Sequence, residues 1–168
     1  MADNDQNNEQ QAAEQQAPAQ PMFAIEKLYV KDMSLEVPSG AEAFLQPQAP
    51  EVSVQFKTAF GQLAADVFEG LLQVTVTAKA QDKVHFLVEV QQAGIFRIAG
   101  VPEEALQPFL LSAVPNILFP YAREAVSDAT VRAGFPPVVL QPVNFDAMAQ
   151  QTAEADAAAA AEAPATLQ

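Results

Sequence analysis

Hydrophobic and polar residues alternate between positions 23 and 37, but the alternation changes phase twice. Apolar side chains stand at 23 and 25, then at 28 and 30, and then at 33, 35 and 37. Period-two alternation is typical of a strand with one buried face, and an extra residue that shifts the phase indicates a β-bulge. We therefore predict one long, twice-bulged strand. In its last part Asp32 and Glu36 lie on the side opposite Met33 and Leu35.

Three further strands are predicted after a loop over residues 38–50 that contains three prolines. In the second strand Val52, Val54 and Phe56 alternate with polar residues. The third, over residues 67–78, is rich in Val, Thr and Leu. A turn at residues 81–83 leads to the fourth strand, over 84–92, in which Leu87 and Glu89 share one face. The short connections favour antiparallel neighbours.

Helices are predicted in the last third of the chain. A proline followed by two glutamates is typical of a helix start, so a first helical piece should run from about residue 102 to 113. A second, from about 116 to 133, should end at Gly134, a suitable C-terminal cap. Residues 135–143 contain three prolines and should form an extended crossover. Asn144 is then a good N-cap for a final helix.

The proline-rich segment from Pro115 to Glu124 is unusual. Two prolines stand five residues apart among bulky apolar residues, and an Arg-Glu step closes the segment. Because a proline inside a helix removes a backbone donor and crowds the preceding turn, we predict that this segment is a helix start. It should dock tightly on an apolar surface, either the core of the chain or another subunit.

The order of the elements, strands first and helices after, indicates an α+β fold with helices covering one face of an antiparallel sheet. The other face of the sheet remains uncovered. The alternation within the strands places Asp32, Glu36, Leu87 and Glu89 together on that uncovered face.

The composition predicts one domain with polar tails. The chain has 168 residues, and the foldable part, about 23–150, is large enough for one core. Residues 1–22 are acidic and rich in Gln, and residues 151–168 are rich in Ala and Glu. Both tails are predicted to be disordered, because such sequences cannot bury enough apolar surface to offset the entropy of ordering.

The net charge of −13, from 21 acidic and 8 basic residues, argues against binding to nucleic acid or anionic membranes and favours basic partners. The chain has no cysteine, which excludes disulfides and thiolate metal sites. Its N-terminus lacks the basic-then-apolar pattern of a secretory signal, and the proline-interrupted apolar segments do not predict a membrane span. A cytosolic location is therefore expected.

No catalytic or cofactor site is predicted. The single histidine, His85, lies on the polar face of its strand and is interpreted as a surface residue. Val101 follows Gly100 where a phosphate-binding loop would need lysine. The carboxylates of Asp66 and Glu69 could do acid–base chemistry, but strand exposure explains them more simply. The sequence thus indicates no enzyme, no metal and no cofactor.

Several separate segments have characteristic sequences: Val88–Phe96, Asn116–Glu124 and Pro142–Ala147, together with residues 63–69 and 74–78. In this order and with this spacing they resemble SecB, the bacterial protein-export chaperone family. The resemblance covers about residues 23–148. One departure follows Met148: the family usually continues with large apolar or aromatic residues, whereas Ala149-Gln150-Gln151 follow here.

The resemblance implies a four-stranded antiparallel sheet with a long helix and a C-terminal helix on one face. It also implies a homotetramer, a dimer of dimers with the long helices buried between sheets. Members of the family hold unfolded precursor proteins in the cytosol without ATP and deliver them to SecA, the motor of the Sec translocon. The alternative is a SecB-like binding module dedicated to another client, such as a toxin–antitoxin pair.

Two sites are implied by the resemblance. The SecA-docking surface falls on Asp32, Glu36, Leu87 and Glu89, the residues that strand alternation already places together. The client groove lies between the second strand, the proline-rich crossover and the last helix. Its expected lining residues are Val52, Val54, Phe56, Phe135, Val138, Leu140 and Phe145.

Overall fold

A computed structural model of the protein describes residues 21–45 and 48–151. Four antiparallel strands form one sheet: β1 (Met22–Glu36), β2 (Glu51–Ala64), β3 (Val67–Ala80) and β4 (Lys83–Ala99). Their order across the sheet is β1-β4-β3-β2. Helix α1 (Glu103–Arg132) follows, and residues 145–151 form the described part of a last helix, α2. The predicted tails lie almost entirely outside the described residues.

The two predicted bulges in β1 are confirmed. The register of β1 against β4 shifts between Ile25 and Lys27 and again between Val30 and Asp32. These are the positions at which the hydrophobic alternation changes phase. The extra residue at each bulge returns the apolar side chains of the next segment to one face, so a single 15-residue strand keeps one apolar side throughout.

The core lies between α1 and the sheet. A ridge of side chains four residues apart on α1 packs against the alternate residues of β3 and β4, and both sets are buried. The ridge consists of Leu110, Val114, Leu118, Ala122 and Val126. Gly70 on β3 allows the helix to pack close to the sheet, because a Cβ atom at this position would overlap Val114. The helix therefore covers the middle of one sheet face, as the α+β prediction required.

The division of α1 into two pieces was wrong. Residues 103–132 form one helix that contains Pro108, Pro115 and Pro120. A proline in a helix interior costs about 3 kcal/mol, whereas each fully buried Val, Leu or Phe side chain contributes about 1.5–3 kcal/mol. Because Pro115 is itself buried beside this ridge, the packing on the sheet offsets the lost hydrogen bonds.

The C-terminal end of α1 and the start of α2 are capped as predicted. After α1, Gly134 has φ +86°, its N–H donates to Val131 O at 2.9 Å, and the N–H of Phe135 donates to Thr130 O at 3.1 Å. This is a Schellman cap, for which glycine is favoured. At the start of α2, the N–H of Ala147 donates to Asn144 Oδ1 at 3.0 Å, so Asn144 is the N-cap. The segment between the two helices, residues 136–144, has no regular secondary structure.

His85 is not a surface residue as predicted. The pairing of β3 with β4 shifts by one residue between Ala78 and Lys79, which turns His85 to the same side as Phe86. Its side chain is 2% exposed, and its ring lies 6.5 Å from that of Phe135. A one-residue shift moves a side chain to the other face of a sheet, and the local sequence gave no sign of this one.

Candidate functional site: an apolar groove and an acidic sheet face

An open groove lies between β2 and the extended crossover. It has a volume of about 460 Å³ and is lined by Val52, Val54 and Phe56 from β2 and by residues 137–143 of the crossover. Val52 and Val54 are 42% and 37% exposed. Because these apolar side chains of an edge strand remain accessible, they form an exposed apolar patch and not part of the core. We call this surface the apolar groove.

The crossover that forms one wall of the apolar groove is held in place at its start. Phe135 stacks on Phe44 with ring centroids 4.9 Å apart and lies 4.7 Å from Phe86. The N–H of Val138 donates to Oγ1 of the buried Thr130 at 3.1 Å. Since prolines at 136, 137 and 142 also restrict the backbone, the wall is rigid and extended.

The groove residues predicted from the resemblance fall into two groups. Five of the seven line the apolar groove: Val52, Val54, Phe56, Val138 and Leu140. Leu140 is 3% exposed and forms part of its floor. Phe135 supports the crossover through its aromatic contacts instead of lining the groove.

The structure corrects the prediction that Phe145 lines the groove, because this side chain is 1% exposed and belongs to the core. It is the first residue of α2, and the capped helix turns its ring inward against Phe119 and Phe56, with centroids 5.6 and 6.3 Å apart. Alternating apolar residues carry no signal that separates lining from core, because both need the same residue types.

Sequence reasoning missed part of the groove. Val139 is 61% exposed and lines the apolar groove together with Pro137 and Pro142. The alternation of Val138 and Leu140 on one side of the crossover could have indicated that Val139 points outward. The support that Phe44 gives to Phe135 was also missed, because Phe44 lies in the β1–β2 connection, 91 positions before Phe135.

The uncovered face of the sheet brings the four predicted docking residues together. On the β1–β4 pair, Asp32 lies opposite Gln91 and Glu36 opposite Leu87, while Glu89 lies opposite Ser34 between them. Directly opposed residues project to the same face. We call this set, Asp32, Glu36, Leu87 and Glu89, the acidic face.

The electrostatics of the acidic face favour a cationic partner. Glu89 accepts a hydrogen bond from Thr75 Oγ1 at 3.3 Å, and no ion pair engages Asp32, Glu36 or Glu89 among the described residues. The three carboxylates around Leu87 are therefore able to interact with a charged partner. Such an arrangement steers a basic ligand and gives it one apolar contact.

Farther along the same sheet face, Glu69 is committed to an internal network. Lys31 Nζ lies 2.7 Å from Glu69 Oε2, and Tyr29 donates a hydrogen bond to the other carboxylate oxygen. The hydrogen bond from Lys31, and then that from Tyr29, lowers the pKa of Glu69. The bond to Glu69 in turn raises the pKa of Tyr29. Asp66, at φ +59°, occupies the β2–β3 turn. The positions of both Asp66 and Glu69 are therefore explained by their structural roles, without acid–base chemistry.

No cluster of three potential metal-ligating side chains occurs within residues 21–45 and 48–151. In the same part of the chain no helix is long and apolar enough to cross a membrane.

Comparison with known proteins gives a consistent result. The sequence profile of the family described as preprotein translocase subunit SecB matches residues 15–156. A protein-export protein SecB from Dechloromonas aromatica is 59% identical over 145 residues, which are 86% of this chain and 95% of the relative. One from Methylobacillus flagellatus is 54% identical, over 87% of this chain and 92% of the relative.

A solved structure also has this fold. It is the Mycobacterium tuberculosis Rv1957 SecB-like chaperone in complex with a ChAD peptide from the Rv1956 HigA1 antitoxin. The TM-score is 0.59 at 19% identity, over 72% of this chain and 90% of that one. At this identity the similarity supports the fold and no more.

Proposed function

The chain belongs to the SecB family, and on that premise we propose that it is an ATP-independent holding chaperone that delivers unfolded precursor proteins to SecA for export. Proteins of this family are chaperones and not enzymes. The observation that carries the proposal is the apolar groove, which stays open on the protein surface. We place this activity in the cytosol, where precursors are made.

Client binding is supported by the chemistry of the apolar groove. Unfolded chains have exposed apolar side chains in common, and the groove offers Val, Phe and Pro surface with few polar groups that would demand one sequence. β2 is also an edge strand, paired within the described residues with β3 alone. An extended client could therefore add backbone hydrogen bonds along β2 while its side chains enter the groove.

Delivery to SecA is assigned to the acidic face. Its three carboxylates would steer a basic segment of SecA, and Leu87 would add the apolar contact that distinguishes one basic partner from another. The acidic face and the apolar groove lie on opposite faces of the sheet. A client and SecA could therefore be bound at the same time, which a transfer of the client requires.

A homotetramer, arranged as a dimer of dimers, is part of the proposal. Apolar side chains of β1 point to the α1 side of the sheet but remain exposed: they are Ile25, Met33 and Leu35. Met33 is 49% exposed. An apolar strip of this kind on an edge strand favours burial against another subunit.

The alternative, a module dedicated to an antitoxin client, has weaker support. The relatives that are 59% and 54% identical to this chain are named as protein-export proteins. The chaperone bound to an antitoxin peptide shares 19% identity. We therefore prefer export, and co-purification separates the two: one dedicated partner and no SecA would favour the module.

The direct test is to dilute a denatured precursor into buffer with and without the purified protein and to follow light scattering. The protein should suppress aggregation at stoichiometric amounts, equally with and without ATP. Mass in solution should correspond to four chains. A monomer that leaves aggregation unchanged would overturn the proposal.

A further inference from the structure

Arg123, on the flank of α1 beside the crossover, makes no ion pair within residues 21–45 and 48–151. Its guanidinium carbon lies 4.7 Å from the ring centroid of Phe119. Its Nε is buried, with no hydrogen-bond partner within residues 21–45 and 48–151. A donor that is shielded from water and has no acceptor costs free energy, because no hydrogen bond replaces the one it made to water. Packing on the ring also fixes the guanidinium, so it is ordered before any partner arrives.

A small surface cavity lies beside this guanidinium. It has a volume of about 370 Å³, and Arg123, Glu124, Asp128 and Val139 are among its lining residues. Asp128 is already paired with Arg132 at 2.6 Å. Glu124 is exposed and makes no ion pair within the described residues. Since residues i and i+1 of a helix do not face each other, Glu124 cannot serve Arg123 of its own chain.

We propose that Arg123 binds the carboxylate of Glu124 from a second copy of this chain, across a two-fold axis that passes near the cavity. The surface has both charges, so it is complementary to itself. A two-fold contact would form the pair twice, because each copy supplies one arginine and one glutamate. The inference rests on the proposed homotetramer and assigns to it a polar contact that holds α1 against α1.

The surroundings of the pair fit an interface between copies. Exposed side chains with large apolar surface flank the two charges along α1, namely Tyr121 and Val131, which are 49% and 52% exposed. Tyr and Arg are among the residue types enriched at the positions that dominate interface energies. A carboxylate that approaches a guanidinium already shielded from water makes a stronger pair than one on an open surface.

Charge reversal tests the pair. Arg123→Glu and Glu124→Arg place like charges together across the axis, and each should raise the dissociation constant of the assembly about tenfold or more. The double variant Arg123→Glu/Glu124→Arg restores opposite charges and should return the constant to within about threefold of the wild type. Sedimentation equilibrium measures all three. Lys79→Glu, an equal charge change at an exposed position on β3, should leave the mass unchanged.

The outcomes separate this inference from the proposed function. Single variants that keep the wild-type mass, or a folded double variant that stays dissociated, would overturn the pair while leaving the chaperone intact. A monomeric wild type would instead refute the proposed assembly. Circular dichroism checks folding. If a reversed variant does not fold, the milder Glu124→Gln decides, since it should still weaken association, and an unchanged constant would count against the pair.

Discussion

Leu87 on β4 lies directly opposite Glu36 on β1, on the sheet face that α1 leaves uncovered. The pair joins an apolar side chain and a carboxylate that are 51 positions apart in sequence. Glu89 and Asp32 complete the acidic face around it. This juxtaposition depends on both bulges of β1, because the loss of one bulge residue would turn Glu36 toward the helix side.

A first prediction concerns SecA. Leu87→Arg removes the apolar contact and adds a like charge facing a basic partner, so the Kd for SecA should rise about tenfold or more. Titration calorimetry measures it, and added salt should weaken the wild-type complex because exposed charges are screened. Leu63→Arg makes the same change at an exposed leucine on β2 and should bind SecA normally. Equal affinity of wild type and Leu87→Arg would refute the assignment.

A second prediction concerns the apolar groove. Val54→Asp puts a charge where a client would bury apolar surface, and affinity for an unfolded client should fall about tenfold because a buried, unpaired carboxylate is costly. Gln55→Asp adds the same charge one residue on, where the side chain points to the opposite sheet face, and should have little effect. Fluorescence anisotropy with a labelled unfolded client compares them. Similar losses in both variants would show a general charge effect instead of a groove.

A third prediction concerns the close approach of α1 to β3. Gly70→Ala brings its Cβ into Val114, a β-branched residue that is stiff in a helix, and should cost about 1–3 kcal/mol of stability. At Gly61 on β2 a Cβ would meet no atom within 4 Å, so Gly61→Ala should be neutral or stabilising by about 0.5 kcal/mol. Urea unfolding at fixed protein concentration distinguishes the two. Equal midpoints would contradict the packing argument.

A fourth prediction concerns pH. Lys31 and Tyr29 lower the pKa of Glu69 below its ordinary value of 4.5. A carboxyl with a lowered folded-state pKa stabilises the fold above the unfolded-state value, and this contribution is lost as pH falls through the folded-state value. Glu69→Gln should therefore cost about 1 kcal/mol at pH 7 and much less below pH 4.

The fourth prediction is checked by urea unfolding at pH 7 and at about pH 3.5, where most free carboxyls are protonated. Glu51→Gln, at an exposed β2 position that forms no ion pair within the described residues, serves as the control. This control should cause a small shift of the unfolding midpoint that is the same at both pH values. A cost of Glu69→Gln that does not change with pH would mean that the carboxylate charge contributes nothing.

The strand pattern was predictable because it is local. A β-strand exposes its faces with period two, so the phase changes at 26 and 31 already specify the bulges of β1, and these specify which face Asp32 and Glu36 occupy. The caps at Gly134 and Asn144 were likewise predictable, since each depends on the conformational or hydrogen-bonding properties of one residue.

Other features depended on contacts between distant parts of the chain. Pro115 and Pro120 argue locally for a break in α1, and only the sheet beneath the helix supplies enough packing to keep it continuous. His85 is buried because the β3–β4 register shifts beside it.

By itself, then, the sequence determined the four strands, the bulges of β1, the caps at Gly134 and Asn144 and the face of most strand residues, because these follow from neighbours a few positions apart. The tertiary structure alone decided that Phe145 enters the core while Val54 stays accessible. Both are apolar, and a side chain is buried only if another part of the fold covers it. Coverage is a property of the packed molecule, which no local pattern contains.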